Sequence, residues 1–305
     1  MVTYKVLRVL MADYMLALRL GSVAVIALVY MLYDLFNRRN VPAVVVYATL
    51  AYGIVLTLLY LNVVAVVVSL LIAVAVLAVG YVVYRIGQLG FADVTELAAL
   101  SMVLPLQSIP ILINVLQYNL PFIVSVMINS GIAVLIIVPL YYIPLAARRF
   151  GSKRLDSMLS QGNWIKVGLV TVVYALFLAF LIYFTDAGWP GIAIIAVMMA
   201  GSALLLFFER PITDVMVRYV RLKDMEEGDI IATSLMSRRE LANVKRRVPG
   251  FERLVTARLM ATMRRKRFNS KLPVYKNAMP FAAAIFVGAS LALLFGNLLL
   301  YIIPL

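Results

Sequence analysis

Long apolar stretches alternate with short polar breaks along this chain, and the lengths of the stretches decide what they are. A helix that crosses a membrane needs about 20 apolar residues, at about 1.5 Å rise each, to span a hydrocarbon core of about 30 Å. Leu20 to Phe36 is the first such run. Ala43 to Tyr84 carries no charge at all. As one helix it would be about twice too long, so it must fold back, with Asn62 as the polar tip. A second uncharged stretch lies between Glu96 and Arg148, and Gln117-Tyr118-Asn119-Leu120-Pro121 supplies the turn it needs. Val167 to Phe208 is broken by Thr185-Asp186-Ala187-Gly188-Trp189-Pro190, and a last run extends from Met279 to Ile303. The pattern predicts an all-α polytopic membrane protein with eight transmembrane helices and a small polar domain before the last one. The spans fall near 20–36, 43–61, 63–84, 94–115 and 121–145, twice within a hairpin at 167–208, and at 279–303.

Between the spans lie an N-terminal segment, 1–19, read as interfacial, a basic loop at 146–166 and a basic domain at 209–278. In that domain Ser237-Arg238-Arg239-Glu240 has capping-box spacing and predicts a helix ending before Pro249-Gly250. Phe251, Leu254, Val255 and Leu259 recur at helical spacing on the next segment. With 64% hydrophobic and 14% charged residues, the composition excludes a soluble globular enzyme. Cys and His are both 0, which removes thiolate chemistry, the usual general base and the usual zinc ligands. Carboxylates, hydroxyls, lysine and backbone remain, and no metal or cofactor is expected.

The net charge of +14 is explained by where it sits. If 37–42 faces the cytoplasm, then 37–42, 85–91, 146–166 and 209–278 lie inside and hold 25 of the 28 Lys and Arg. The loops at 61–63, 116–121 and 185–190 hold none. This is the positive-inside pattern of a cell-membrane protein, and nucleic acid is not needed to account for it. The run Arg264-Arg265-Lys266-Arg267 then reads as a contact with anionic membrane lipids. Lys5, Arg8 and Arg19 fall on the outer side and are the exceptions.

Two carboxylates stand where a membrane helix should carry none. Asp34, in Leu32-Tyr33-Asp34-Leu35-Phe36, ends the first span, where a negative charge opposes the helix dipole. Asp93 follows Gly90-Phe91-Ala92 and opens the fourth span. Asp93-Val94-Thr95-Glu96 also has the spacing of an ordinary N-cap with Glu three residues on. The hairpin at 43–84 brings span four back beside span one, so both acids lie at one depth. Two carboxyls that share a proton can activate a water with one member and protonate a leaving amine with the other. That is peptide hydrolysis without His, Cys or metal. A glycine beside Asp93 leaves room for an extended substrate backbone.

Gly90-Phe91-Ala92-Asp93 resembles the Gly-x-Gly-Asp motif of intramembrane aspartyl proteases, with Ala92 in place of the second glycine. Asp34 followed by Asn37-Arg38-Arg39-Asn40-Val41-Pro42 is similar to the first-aspartate segment of archaeal preflagellin and type IV prepilin peptidases. Pro280-Phe281, Gly288 and Phe295-Gly296-Asn297 resemble that family's last span, and Glu227-Gly228-Asp229 its cytoplasmic segment. Thr95 stands where many relatives have Lys, and the family core has six spans. The resemblance implies a catalytic core over 20–145 and Asp34 and Asp93 as catalytic residues. It also implies motif-supporting roles for Gly90, Ala92, Tyr33 and Pro42. The substrates implied are pilin and flagellin (archaellin) precursors, cut at a short basic leader near the cytoplasmic face, with no cofactor.

Asp224, Glu226, Glu227 and Asp229 interrupt a domain of net charge about +9, and either balance that surface or attract the leader's Lys and Arg. Three other readings stay open. Tyr33-Asp34 matches the Tyr-Asp motif of presenilin-like and signal-peptide-peptidase-like proteases, but no Pro-Ala-Leu occurs in the chain. A transporter would place its carboxylates near the midplane rather than at span ends. A non-enzymatic pilus platform protein would not need two acids at one depth. The charge pattern yields the first test. A single cysteine introduced at position 187 should react only from the outer side, and one within 209–278 only from the inner side. Labelling of position 187 from the cytoplasm alone would reverse the topology.

Overall fold

The longest apolar runs become the longest helices of the computed structural model, which describes residues 2–37, 41–60, 63–106, 120–160, 164–184, 188–276 and 281–302. The helices are α1 (Val2–Phe36), α2 (Ala43–Leu58), α3 (Val63–Arg85), α4 (Phe91–Val103), α5 (Phe122–Ser160), α6 (Trp164–Phe184), α7 (Trp189–Phe207), α8 (Glu209–Met216), α9 (Arg238–Arg247), α10 (Ala257–Arg265) and α11 (Phe281–Phe295). Strands β1 (Arg218–Val220) and β2 (Leu272–Val274) pair antiparallel, with Tyr219 opposite Pro273. The predicted turn residues Asn62, Gln117-Tyr118-Asn119 and Thr185-Asp186-Ala187 lie outside the described residues, as do Arg38, Arg39, Asn40 and Pro280.

This is a helical, multi-pass membrane protein, but the count of eight spans is not supported. Among the described residues, five helical stretches are long and apolar enough to cross a membrane: Asp13–Phe36, Val63–Arg85, Phe122–Gly151, Trp164–Phe184 and Trp189–Phe207. The other apolar helices are short, with 16 residues in α2, 15 in α11 and 13 in α4. Of the expected span 94–115, residues 107–115 lie outside the described residues, and the helix that opens it ends at Val103 for a local reason. Leu104 precedes Pro105, a position biased away from helix, and leaves the helical region at φ −135° and ψ 86°. Leu106 then bridges Pro121. α4 is therefore about 20 Å long, and Val94–Val103 are all buried by the helices around it.

α1 is one continuous helix from Val2, of which the stretch from Asp13 is long and apolar enough to span. The basic loop 146–166 is helical to Ser160, interrupted at Gly151, whose φ is +69°. α6 packs on α7 and α7 on α5.

The core is built where α1, α2, α4, α5 and α11 meet. Tyr30, Ala27 and Val23 of α1 join Leu97 and Leu100 of α4, Val126 of α5, and Ile285, Ala289 and Ala292 of α11. α5 and α11 approach so closely that a side chain at Gly288 would begin 2.6 Å from the Ser130 backbone nitrogen. Small residues at such contacts let membrane helices gain dispersion energy that the hydrophobic effect does not supply in lipid.

Polar clamps hold the helix ends. Arg19 is buried, and its guanidinium donates to Val103 O at 2.8 Å and to Leu56 O at 2.5 Å, while lying 3.7 Å from the centre of the Tyr60 ring. It thus satisfies terminal carbonyls of α4 and α2 together. Asn129 does the same for α11. Its side chain donates to Gly296 O at 2.8 Å and accepts from Leu298 N at 3.1 Å, where Gly296 (φ +77°) turns the chain.

Residues 217–276 form a polar unit with its own core of Ile231, Val244, Val248, Val255, Leu259, Met263 and Val274. The predicted capping box is present: Glu240 N donates to Ser237 Oγ at 3.2 Å, and Ser237 N to Glu240 Oε2 at 2.7 Å. That backbone donor holds the Glu240 carboxyl below the usual carboxylate range. The helical spacing from Phe251 to Leu259 misleads, because α10 begins only at Ala257. Leu254 instead bridges Ile230, and Ile231 N donates to Arg253 O at 2.8 Å. The unit meets the membrane helices at the α3–α4 turn, where Arg85 faces Glu252 at 4.0 Å and Ile230 lies over Gly87.

Arg19→Leu should strip two buried carbonyls of a charged donor, a loss of about 1.5–3 kcal/mol per bond. Thermal unfolding in detergent should show a clearly lower midpoint for Arg19→Leu and an intermediate one for Arg19→Lys. An unchanged midpoint would mean that Leu56 and Val103 find other donors.

Candidate active site

α1 and α4 run antiparallel. Arg19 ties the start of the α1 span to the end of α4, so Asp34 and Asp93 fall together at the opposite end. That end also holds the α3–α4 turn on which the polar unit rests.

Asp34 is only 9% exposed. Its Oδ2 accepts from the Ala282 backbone N–H at 3.2 Å, in the first turn of α11. An aspartate that opposes the dipole of its own helix is thus compensated by the N-terminus of another, where free N–H groups favour negative charge.

Asp93 is half-buried at the third position of α4 and is not its N-cap. Gly90 is the N-cap, and its N–H donates to Asp93 Oδ2 at 3.0 Å. The glycine is needed for space, since its φ of −73° is open to any residue. A Cβ at position 90 would lie 2.9 Å from that same Oδ2 and push the carboxylate away. Asp93 and Asp34 lie within electrostatic reach of one another.

A second polar layer lies one turn deeper. Tyr30, four residues before Asp34, is wholly buried and shares a hydrogen bond of 2.8 Å with Thr49 Oγ1, with Thr95 also beside it. Thr49 gives its own hydrogen to the carbonyls of Val45 and Val46, and Thr95 gives its to Ala92 O, so both can accept from Tyr30. Glu96, three residues after Asp93, is also wholly buried, and neither carboxyl oxygen has a hydrogen-bond partner among the described residues. In the sequence Glu96 reads as a capping partner, and Tyr30 carries no motif of its own. The signal for both was their spacing from the two aspartates, which puts each on the same helix face as its acid.

The other expected residues are placed as follows. Ala92 is half-buried against the core, and Pro42 is the N-cap of α2, its carbonyl accepting from Val45 N at 2.9 Å. Tyr33 is half-buried, and its carbonyl accepts from Asn37 N at 2.9 Å. In the acidic stretch, Asp229 pairs with Lys276 at 2.8 Å and Glu226 with the same ammonium at 3.7 Å. Glu227 accepts from Ala257 N at 3.2 Å at the start of α10, and Asp224 is exposed. Three of the four thus have partners inside the polar unit. Among the described residues no group of three or more acidic side chains is arranged to hold a metal ion.

Residues 22–143 match the family model of the type IV leader peptidases. The matched segment contains both Asp34 and Asp93 and stops inside α5, leaving the α6–α7 hairpin, the polar unit and α11 outside it. In the same comparisons, no curated protein and no solved structure matches the chain. Over that segment the chain is similar to the type IV leader peptidases.

Gly90→Ala should displace the Asp93 carboxylate while leaving the helices intact. Peptidase turnover should fall on the order of tenfold to a hundredfold, as a misplacement of about 1 Å costs elsewhere. Turnover is to be compared with the thermal midpoint, which should move little.

Proposed function

We propose that the protein is a membrane-embedded aspartyl endopeptidase. In this reading it removes the short basic leader of prepilin- and preflagellin-type precursors at the cytoplasmic face of the plasma membrane. Asp34 and Asp93 are its catalytic residues. The observation that carries the reading is the convergence of these two acids at one end of antiparallel helices, inside the segment that matches the leader peptidases.

The chemistry follows from two carboxyls sharing one proton. The ionised member takes a proton from a water as its oxygen attacks the scissile carbonyl carbon. The neutral member gives its proton to the leaving amine as the C–N bond breaks. A carboxyl group and an amine are released, and the pair is left again with one proton. No covalent intermediate and no cofactor enter. The two acids titrate as a pair, and neither is assigned a fixed role. The Ala282 N–H orients the Asp34 carboxylate and the Gly90 N–H that of Asp93.

The location at the membrane face agrees with the substrate, whose leader is polar and whose following segment is apolar. Membrane lipids are the other partner, in contact with exposed faces such as Leu169, Val172, Val173 and Leu176 of α6.

Asp34→Asn and Asp93→Asn should each abolish nearly all cleavage of a prepilin peptide by the purified protein. The double variant should lose no more than either single one, because the acids act as a unit. All three should remain folded and monodisperse, since removing a membrane carboxylate relieves desolvation. Near-normal cleavage by either single variant would falsify the aspartyl mechanism.

A further inference from the structure

The dyad does not account for every acid at this end of the bundle. Glu96 is fully enclosed, with neither oxygen hydrogen-bonded among the described residues, and it lies within electrostatic reach of both Asp34 and Asp93. Ordinary packing gives no reason to keep such a group. An apolar side chain of the same volume would fill the space without the desolvation cost, and selection for stability alone favours it.

Position on the helix indicates what Glu96 can reach. Residues three apart on a helix are neighbours, and side chains lean toward the helix N-terminus over the preceding turn. The Glu96 carboxyl is therefore directed toward Asp93. Tyr30 from α1 lies within its electrostatic reach, with Thr49 of α2 and Thr95 near that phenol. None of these groups is a cation. Among the described residues an ionised carboxylate here has two further acids within reach and no hydrogen-bond partner, so the group that fits is the neutral carboxylic acid, which carries one O–H donor.

We propose that Glu96 is a positioning residue of the dyad, whose neutral carboxyl donates to the Asp93 carboxylate across one helical turn when the site closes on substrate. Asp93 Oδ2 is held from one side by the Gly90 N–H. A donor from Glu96 on the other side fixes which oxygen faces the water and Asp34. The inference rests on the peptidase reading above, and it adds a residue that touches neither substrate nor water.

Two substitutions of similar volume test it. Glu96→Gln keeps a neutral donor, whereas Glu96→Leu removes the donor and suits the apolar surroundings. With a prepilin peptide and purified protein, kcat of Glu96→Leu should fall tenfold or more at unchanged KM, while its thermal midpoint stays equal or rises. Glu96→Gln should keep kcat within about threefold of the parent protein. Wild-type kcat in Glu96→Leu overturns the proposal, and so does a loss in Glu96→Gln as large as that in Glu96→Leu. A fall in midpoint for Glu96→Leu that parallels its loss of kcat also overturns it, in favour of a structural role. Failure of the parent protein to cleave any prepilin peptide is a different result, because it removes the peptidase reading itself.

Discussion

The guanidinium of Arg19 sets the register of α1 against α4. Inside a membrane an unbonded carbonyl has no water to turn to, so helix ends must be satisfied by the protein. Arg19 satisfies one carbonyl from α4 and one from α2, and its position along α1 then determines what lies opposite at the far end. That far end brings Asp34 within electrostatic reach of Asp93. The residue that looked like a violation of the charge pattern is the one that aligns the site.

A second constraint comes from the helix dipoles. Asp34 ends its helix and Asp93 begins one, so their local fields differ in sign. Asp93 is stabilised by the turn that carries it, through Gly90. Asp34 must borrow its stabilisation, and α11 supplies it through Ala282. The two acids are close in space yet held by unlike means, one by its own helix and one by the last helix of the chain.

Much of this was legible in the hydrophobic pattern, because long apolar runs bounded by charge have few alternatives to membrane helices. The approximate position of each helix, the two aspartates and the capping box at Ser237 all follow from local rules. The end of α4 did not, although Pro105 marks it. An enclosed helix needs no full membrane length, and apolarity alone does not separate enclosure from lipid contact. Arg19 and Glu96 are not legible for a related reason: a charge in the sequence reads as a membrane surface or a helix cap, and both groups are buried by tertiary contacts. The period from Phe251 to Leu259 misled because residues beside a β-bridge can repeat every three or four positions without being helical.

The bond from Ala282 to Asp34 joins positions 248 residues apart. Ribosomes deliver a chain from its N-terminus, so α1 and α4 are in the membrane long before α11 leaves the tunnel. Until then Asp34 lacks the N–H that offsets the field of its own helix. A chain that stops before α11 consequently carries both acids without the N–H that Ala282 gives Asp34. The pocket around Asp34 is assembled only once α11 has been made, so the order of synthesis is also the order in which its electrostatics are set.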